Sequence, residues 1–261
     1  MNPLIPIGAF AFGAVIGSFL NVCIHRLPRD ESIVVPSSHC PRCNTPLRAY
    51  DNIPLVSYLI LRGKCRTCRQ PISLRYPVVE FVSAAFSVIM VLFYGLSLAY
   101  IVYYLFVAAL IAVTFIDLSH QIIPDEISLP GIVVGAGVSW LTGQITVVQS
   151  LLGILVGGGS LYVVAWGYHM VTKREGMGGG DIKLLAMIGA FIGWKGVLFT
   201  ILCSSLVGAV VGIVLMVLSS RADGKYAVPF GPFLSLGAVM YLFFGESLIE
   251  WYLQLLRSTT V

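Results

Sequence analysis

Long apolar runs of bilayer-crossing length constrain this chain more than any other feature of it. A hydrocarbon core about 30 Å thick takes about 20 apolar residues of helix to cross. Such runs recur along the whole sequence and read as eight candidate spans, roughly 4–24, 78–98, 99–116, 127–141, 147–171, 182–194, 197–218 and 230–252. The fourth and sixth are short, and the second and third share a tight turn near residues 95–100. Hydrophobic types make up 57% of the 261 residues and charged types 11%, against about a quarter charged in a soluble domain. That balance excludes a disordered chain, a basic nucleic-acid-binding domain and a water-soluble globule. An all-α polytopic membrane protein is the fold class that remains.

The net charge of +4 is unevenly spread. Residues 26–77 hold nine Lys or Arg against three acids, so one basic polar insert sits in a slightly acidic apolar body. No basic residue precedes the first span, while Arg26 and Arg29 follow it. It therefore reads as a retained span with its carboxyl end in the cytosol, not as a cleavable signal. Eight crossings from that start place fourteen of the sixteen Lys and Arg on the cytosolic side, leaving Lys195 and Arg257 outside. The positive-inside rule is met.

Within the insert stand Cys40-Pro-Arg-Cys43 and, 21 residues on, Cys65-Arg-Thr-Cys68. Two C-x-x-C pairs at this separation are the zinc-ribbon pattern, in which four thiolates close a tetrahedral structural site. A cytosolic position disfavours disulfides, and an insert of this size gains from a metal clip. Cys40, Cys43, Cys65 and Cys68 are the expected zinc ligands. His39 reads as a solvated loop histidine, and Cys23 and Cys203 as packing residues within spans.

Ionisable groups at span ends are functional candidates because burying them is costly. Asp117 closes the third span, where a carboxylate opposes the helix dipole. Asp181 follows Gly178-Gly-Gly180 and opens the sixth; capping would explain it, but three glycines suggest close backbone approach. Asp125 and Glu126 follow Pro124 and read as first-turn acids. Glu80 is open, with Arg75 as one partner, and His120 and His169 have no partner that sequence identifies. On the expected topology Asp117 and Asp181 share one membrane face. If their helices meet, two carboxylates in low dielectric share a proton, one acting as base on water and the other as acid. Glycine pairs at Gly131/Gly135, Gly153/Gly157, Gly189/Gly193 and Gly208/Gly212 read as helix-packing sites.

With these residues in place, the chain resembles the type IV prepilin peptidase family, the bifunctional leader peptidases and N-methyltransferases. The resemblance rests on Gly17-Ser-Phe-Leu-Asn-Val22 with His25-Arg-Leu-Pro28, on the loop from Cys40 through Asn52-Ile-Pro54, Gly63-Lys-Cys65 and Tyr76-Pro-Val-Val-Glu80, and on Asp117-Leu-Ser-His-Gln-Ile-Ile-Pro-Asp125 and Gly178-Gly-Gly-Asp181. It implies that Asp117 and Asp181 are catalytic aspartates. It implies cleavage of a short basic leader, after glycine and on the cytosolic face of the bacterial inner membrane, from prepilins or pseudopilins. It also implies methylation of the new N-terminal residue with S-adenosylmethionine. No G-x-G-x-x-G follows a strand pattern, so the methyl-donor site is not legible.

The expected organisation is a first transmembrane helix at 1–25, a four-cysteine zinc loop domain at 26–77 and a transmembrane peptidase core at 78–261. Acids such as Asp51, Glu126 or Glu175 are candidates to contact the basic leader. The partners expected are membrane-embedded prepilin substrates and the lipid bilayer, with no nucleic acid. A zinc-ribbon scaffold that docks secretion subunits without cutting them is the main rival. A transporter would place its carboxylates near mid-bilayer instead.

Overall fold

The computed structural model describes residues 2–174, 177–218 and 228–258. Among them every regular element is helical, apart from two isolated β-bridges. The chain divides into two compact units between Ile116 and Asp117.

The first unit is built from α1 (Leu4–Arg26), the short α2 (Val56–Ile60), α3 (Arg75–Tyr94) and most of α4 (Leu98–His120). Gly95, at φ +63°, ends α3 and starts the brief link to α4. The helices α1 and α3 touch through Gly13 and Gly17, where a Cβ would come within 2.6 Å of Ala84 Cα and 2.7 Å of Glu80 Cα. At that approach side chains can reach across to backbone. Ser83 Oγ donates to the Gly13 carbonyl at 2.8 Å, and Ser87 Oγ to the Ala9 carbonyl at 2.7 Å. One turn apart, Tyr104 and Tyr100 of α4 place their hydroxyls 2.8 Å from the same two serines. Two parallel hydrogen-bonded rungs thus join three apolar helices. Each rung satisfies polar groups that hydrocarbon would leave unpaired, at several kcal/mol apiece.

The second unit contains α5 (Asp125–Thr142), α6 (Val147–Thr172), α7 (Gly179–Leu218) and α8 (Gly231–Ser258). Here α5, α6 and α8 all pack on α7. A capping box starts α6: Thr146 Oγ1 accepts from Gln149 N–H at 3.2 Å, and Gln149 Oε1 accepts from Thr146 N–H at 2.9 Å. The first half of α7, from Leu184 to Ile192, is buried throughout. Its second half is largely exposed along Leu206, Val210, Ile213 and Val217. Between them Gly193 leaves helical geometry at φ 72°, ψ 176°.

The described helices do not by themselves confirm eight spans. Among the described residues five are long and apolar enough to cross a membrane: Leu4–Arg29, Arg75–Tyr94, Leu98–His120, Val147–Thr172 and Gly179–Leu218. The runs at 182–194 and 197–218 form one element broken at Gly193, because the break changes direction without a polar loop to mark it. The run at 127–141 lies in α5, which carries Asp125, Glu126 and Pro130, and the last run lies in α8, apolar over Gly231–Gly245.

Candidate active site

Asp117 opens the second unit three residues before the end of α4 and is 5% exposed. Its Oδ2 accepts a hydrogen bond from the Gly231 N–H at 2.9 Å. Gly231 is the first residue of α8, so the donor is one of the N–H groups a helix cannot satisfy internally, at the positive end of its dipole. The contact requires glycine: a Cβ at 231 would lie 2.7 Å from Asp117 Oδ2.

Asp181 sits in the first turn of α7 and is half-buried. It is not the cap; its own N–H bonds the Gly178 carbonyl at 3.3 Å. Ile123 links this segment to the Asp117 side. A Cβ at Gly180 would lie 2.9 Å from Ile123 Cβ, and one at Gly231 would lie 3.3 Å from Ile123 Cδ1. The residue next to Asp181 and the residue that holds Asp117 therefore pack on one isoleucine.

The other acids separate cleanly. Asp125, in the first turn of α5, accepts both its hydrogen bonds from Lys183 Nζ, at 2.6 and 2.7 Å, tying the start of α5 to the start of α7 two residues beyond Asp181. Glu126 is exposed in that same first turn, and His120 and His169 are exposed. Glu80 does not pair with Arg75. It accepts the Leu55 N–H at 2.8 Å, at a residue held at φ 61°, so it anchors the loop module to α3 within the first unit. Asp51 pairs with Arg66 at 2.6 Å. Glu175 lies outside the described residues.

In the first unit the four cysteines come together, their Sγ atoms all within 4.8 Å of one another and those of Cys40 and Cys68 3.9 Å apart. A tetrahedron with Zn–S bonds of about 2.3 Å has sulfurs about 3.8 Å apart, so the cluster fits one zinc ion. The two pairs are folded alike. Cys40 N–H bonds Thr45 O and Cys65 N–H bonds Gln70 O, while Asn44 and Arg69, each just past the second cysteine, turn at φ 54° and 58°. Bridges from His39 to Pro46 and from Lys64 to Pro71 close the two turns. The repeat C-x-x-C-x-x-P, legible at 40–46 and 65–71, would have revealed this internal symmetry.

The thiol environment suits a cation. The Thr45 hydroxyl, 3.3 Å from Cys43 Sγ, and the Thr45 amide pull the Cys43 thiol down to about 6. The Cys68 and Thr67 amides lower Cys65. The Gln70 amide pulls Cys68 down too, but desolvation and the neighbouring thiols outweigh it and push it up to about 11. Four sulfurs cannot all ionise side by side without a positive charge among them. His39 is exposed, with Nδ1 3.1 Å from the Ser37 carbonyl, and stands outside the cluster.

Two family models match this sequence in succession. Residues 11–94 match the bacterial peptidase A24 N-terminal domain, and residues 104–213 match the type IV leader peptidase family. Curated relatives named prepilin leader peptidase/N-methyltransferase include one from Aeromonas hydrophila, 39% identical over 94% of this chain and 92% of its own length. One from Pseudomonas aeruginosa is 37% identical over 93% and 91%, and one from Myxococcus xanthus 40% over 86% and 67%. No solved structure matches. Five long apolar helices in such company make this a membrane protein. The chain belongs to the type IV leader peptidase family and is an enzyme of that class.

Proposed function

We propose that this chain is an aspartic endopeptidase that removes the short basic leader from type IV prepilins or type II secretion pseudopilins, with Asp117 and Asp181 as its carboxylate pair. The observation that carries the reading is the buried Asp117 carboxylate held by the Gly231 amide, in the same unit as Asp181, with Gly231 and the neighbour of Asp181, Gly180, both against Ile123. The pair shares one proton. A charge-assisted bond from a helix N-terminus favours negative charge on Asp117. Asp181, without such a donor among the described residues, then carries the proton.

From that state the chemistry needs no covalent intermediate. Asp117 removes a proton from water as its oxygen attacks the scissile carbonyl carbon. Asp181 delivers its proton to the carbonyl oxygen; the resulting gem-diol collapses with cleavage of the C–N bond as Asp117 passes its proton to the leaving nitrogen and Asp181 takes one back from a hydroxyl. The substrate's apolar helix lies in the bilayer, so its cleavage site emerges at the interface, where the eight-crossing topology puts both carboxylates on the cytosolic face of the bacterial inner membrane. A break at Gly193 with a change of helix direction is compatible with two crossings in α7.

Residues 1–25 then form the first transmembrane helix, 26–77 the cysteine module and 78–261 the peptidase core. Cys40, Cys43, Cys65 and Cys68 would hold a zinc ion that fixes the fold of the module and supplies no reaction step. Methylation of the new N-terminus with S-adenosylmethionine is carried by the relatives' printed names alone. The described residues contain no strand with a glycine-rich turn, so a doubly wound cofactor cradle does not fit them, and no step is assigned through the methyl donor.

Leader cleavage by Asp117→Asn and Asp181→Asn tests the reading. Each variant should accumulate in the membrane and lose cleavage of a basic-leader prepilin peptide by at least about three orders of magnitude. Full cleavage by either one removes that residue from the mechanism.

A further inference from the structure

The first unit contains a buried cation that the hydrolytic chemistry does not use. Arg26, the last residue of α1, is 6% exposed. It donates to the Ser32 carbonyl at 2.8 Å and the Pro36 carbonyl at 2.7 Å. Guanidinium has five N–H donors, and no carboxylate of the described residues pairs with this one. Arg29, Arg75 and the acid Glu31 lie in the same neighbourhood around His25, leaving it net positive. A desolvated charge without a counter-ion is costly. An anion would relieve it.

Arg26 also lines a groove of about 330 Å³. On α1 the groove is lined by Val15, Ser18, Phe19, Val22 and Arg26, which recur at three- and four-residue steps and so share one helical face. Residues 15 to 26 cover about 16 Å of helix. Val15 is 58% exposed and Phe19 48%, within a helix apolar enough to cross a bilayer, while Ile33 and Val34 form the opposite lip. A free phosphate would use Arg26 and leave the apolar length empty. An apolar chain alone would leave the cation uncompensated. Both demands are met by one amphiphile.

We propose that this groove seats a single anionic phospholipid, its phosphate on the Arg26 guanidinium and an acyl chain laid along Val22, Phe19 and Val15. The site lies wholly in the first unit and does not depend on the assignment of Asp117 and Asp181. Occupancy neutralises Arg26 and covers apolar surface that the module at the end of α1 leaves bare.

Native mass spectrometry of the full chain in detergent, titrated with phosphatidylglycerol or phosphatidylcholine, tests this. One phosphatidylglycerol should be retained about tenfold more strongly than phosphatidylcholine, and added inorganic phosphate should not displace it. Arg26→Gln would also release Ser32 and Pro36, so other variants carry the test. Val34→Asp brings a repelling carboxylate to the lip and should cut retention about tenfold, while Val34→Asn should not. Val22→Trp fills the groove with Arg26 intact and should have the same effect as Val34→Asp. Equal retention of the two lipids, displacement by phosphate, or undiminished retention in Val34→Asp would each overturn the proposal.

Discussion

The amide of Gly231 and the carboxylate of Asp117 meet at 2.9 Å across 114 positions of sequence, inside one compact unit. The first turn of α8 thereby supplies the donor that fixes the acid ending α4. A methyl group at 231 would press on Asp117 Oδ2 and on Ile123 Cδ1, which also backs Gly180. Gly231→Ala should therefore displace the carboxylate while leaving the bulk of the bundle folded. A misplacement near 1 Å costs about a hundredfold in rate. Leader-cleavage kinetics of the purified variant, alongside its melting temperature, check this. Wild-type kcat with an unchanged melt would mean that the Gly231–Asp117 contact does not position the reacting group.

Asp125 and Lys183 form a half-exposed pair at the entrance of α5 and α7, close in sequence to Asp181. Such pairs contribute about 0.2–1 kcal/mol, so Asp125→Asn or Lys183→Gln should lower the melting temperature by no more than about 4 °C. The double variant should be no less stable than the weaker single one, because both singles remove the same interaction. A structural role also requires the two variants to affect cleavage alike. Abolished cleavage in Asp125→Asn with Lys183→Gln active would instead put Asp125 among the reacting groups.

Much of this site was legible in the sequence because its chemistry is written in rare residues. Few acids stand among so many apolar positions, so Asp117 and Asp181 were conspicuous, and four cysteines in two C-x-x-C pairs admit one obvious arrangement. Gly231 and Ile123 were not legible. A backbone amide has no sequence signature, and an isoleucine in an apolar protein carries no signal. Sequence proximity offers Arg75 as one partner for Glu80, whereas the buried carboxylate satisfies the Leu55 amide, twenty-five positions away. The described helices do not confirm the expected count of eight spans, and Gly193 is one reason. Hydropathy sees two apolar stretches around Trp194 and Lys195 but cannot tell a loop from a single non-helical glycine.

The cysteine module should bind one zinc per chain, and Cys40→Ser should lose it. Replacing one of four ligands leaves three sulfurs with mutual repulsion and an open coordination position. Loss of metal should expose residues 30–73 to limited proteolysis while α1 and α3, joined by the Ser83 and Ser87 bonds, stay intact. Elemental analysis of the parent protein and protease mapping of the variant read the two effects. A parent protein without bound zinc would remove the metal from this account.

Two glycine pairs that look alike in sequence should behave differently. Gly153 meets the backbone of Gly189, its Cβ position falling on the Gly189 carbonyl, so α6 and α7 can approach this closely only without a side chain. Gly212 has nothing within 4 Å of its Cβ position, and Gly208 meets Phe233 only at an ordinary 3.5 Å. Overpacking a tight contact costs about 1–3 kcal/mol, whereas alanine in an open helical position gains up to about 1 kcal/mol over glycine. Gly153→Ala should therefore lower the melting temperature by several degrees, and Gly212→Ala should hold or raise it. Backbone cannot yield as a flexible side chain would, so the sign at Gly153 follows from the atom it meets. Equal effects of the two substitutions in thermal melts of the detergent-solubilised protein would show that this helix pair is looser than the carbonyl contact requires.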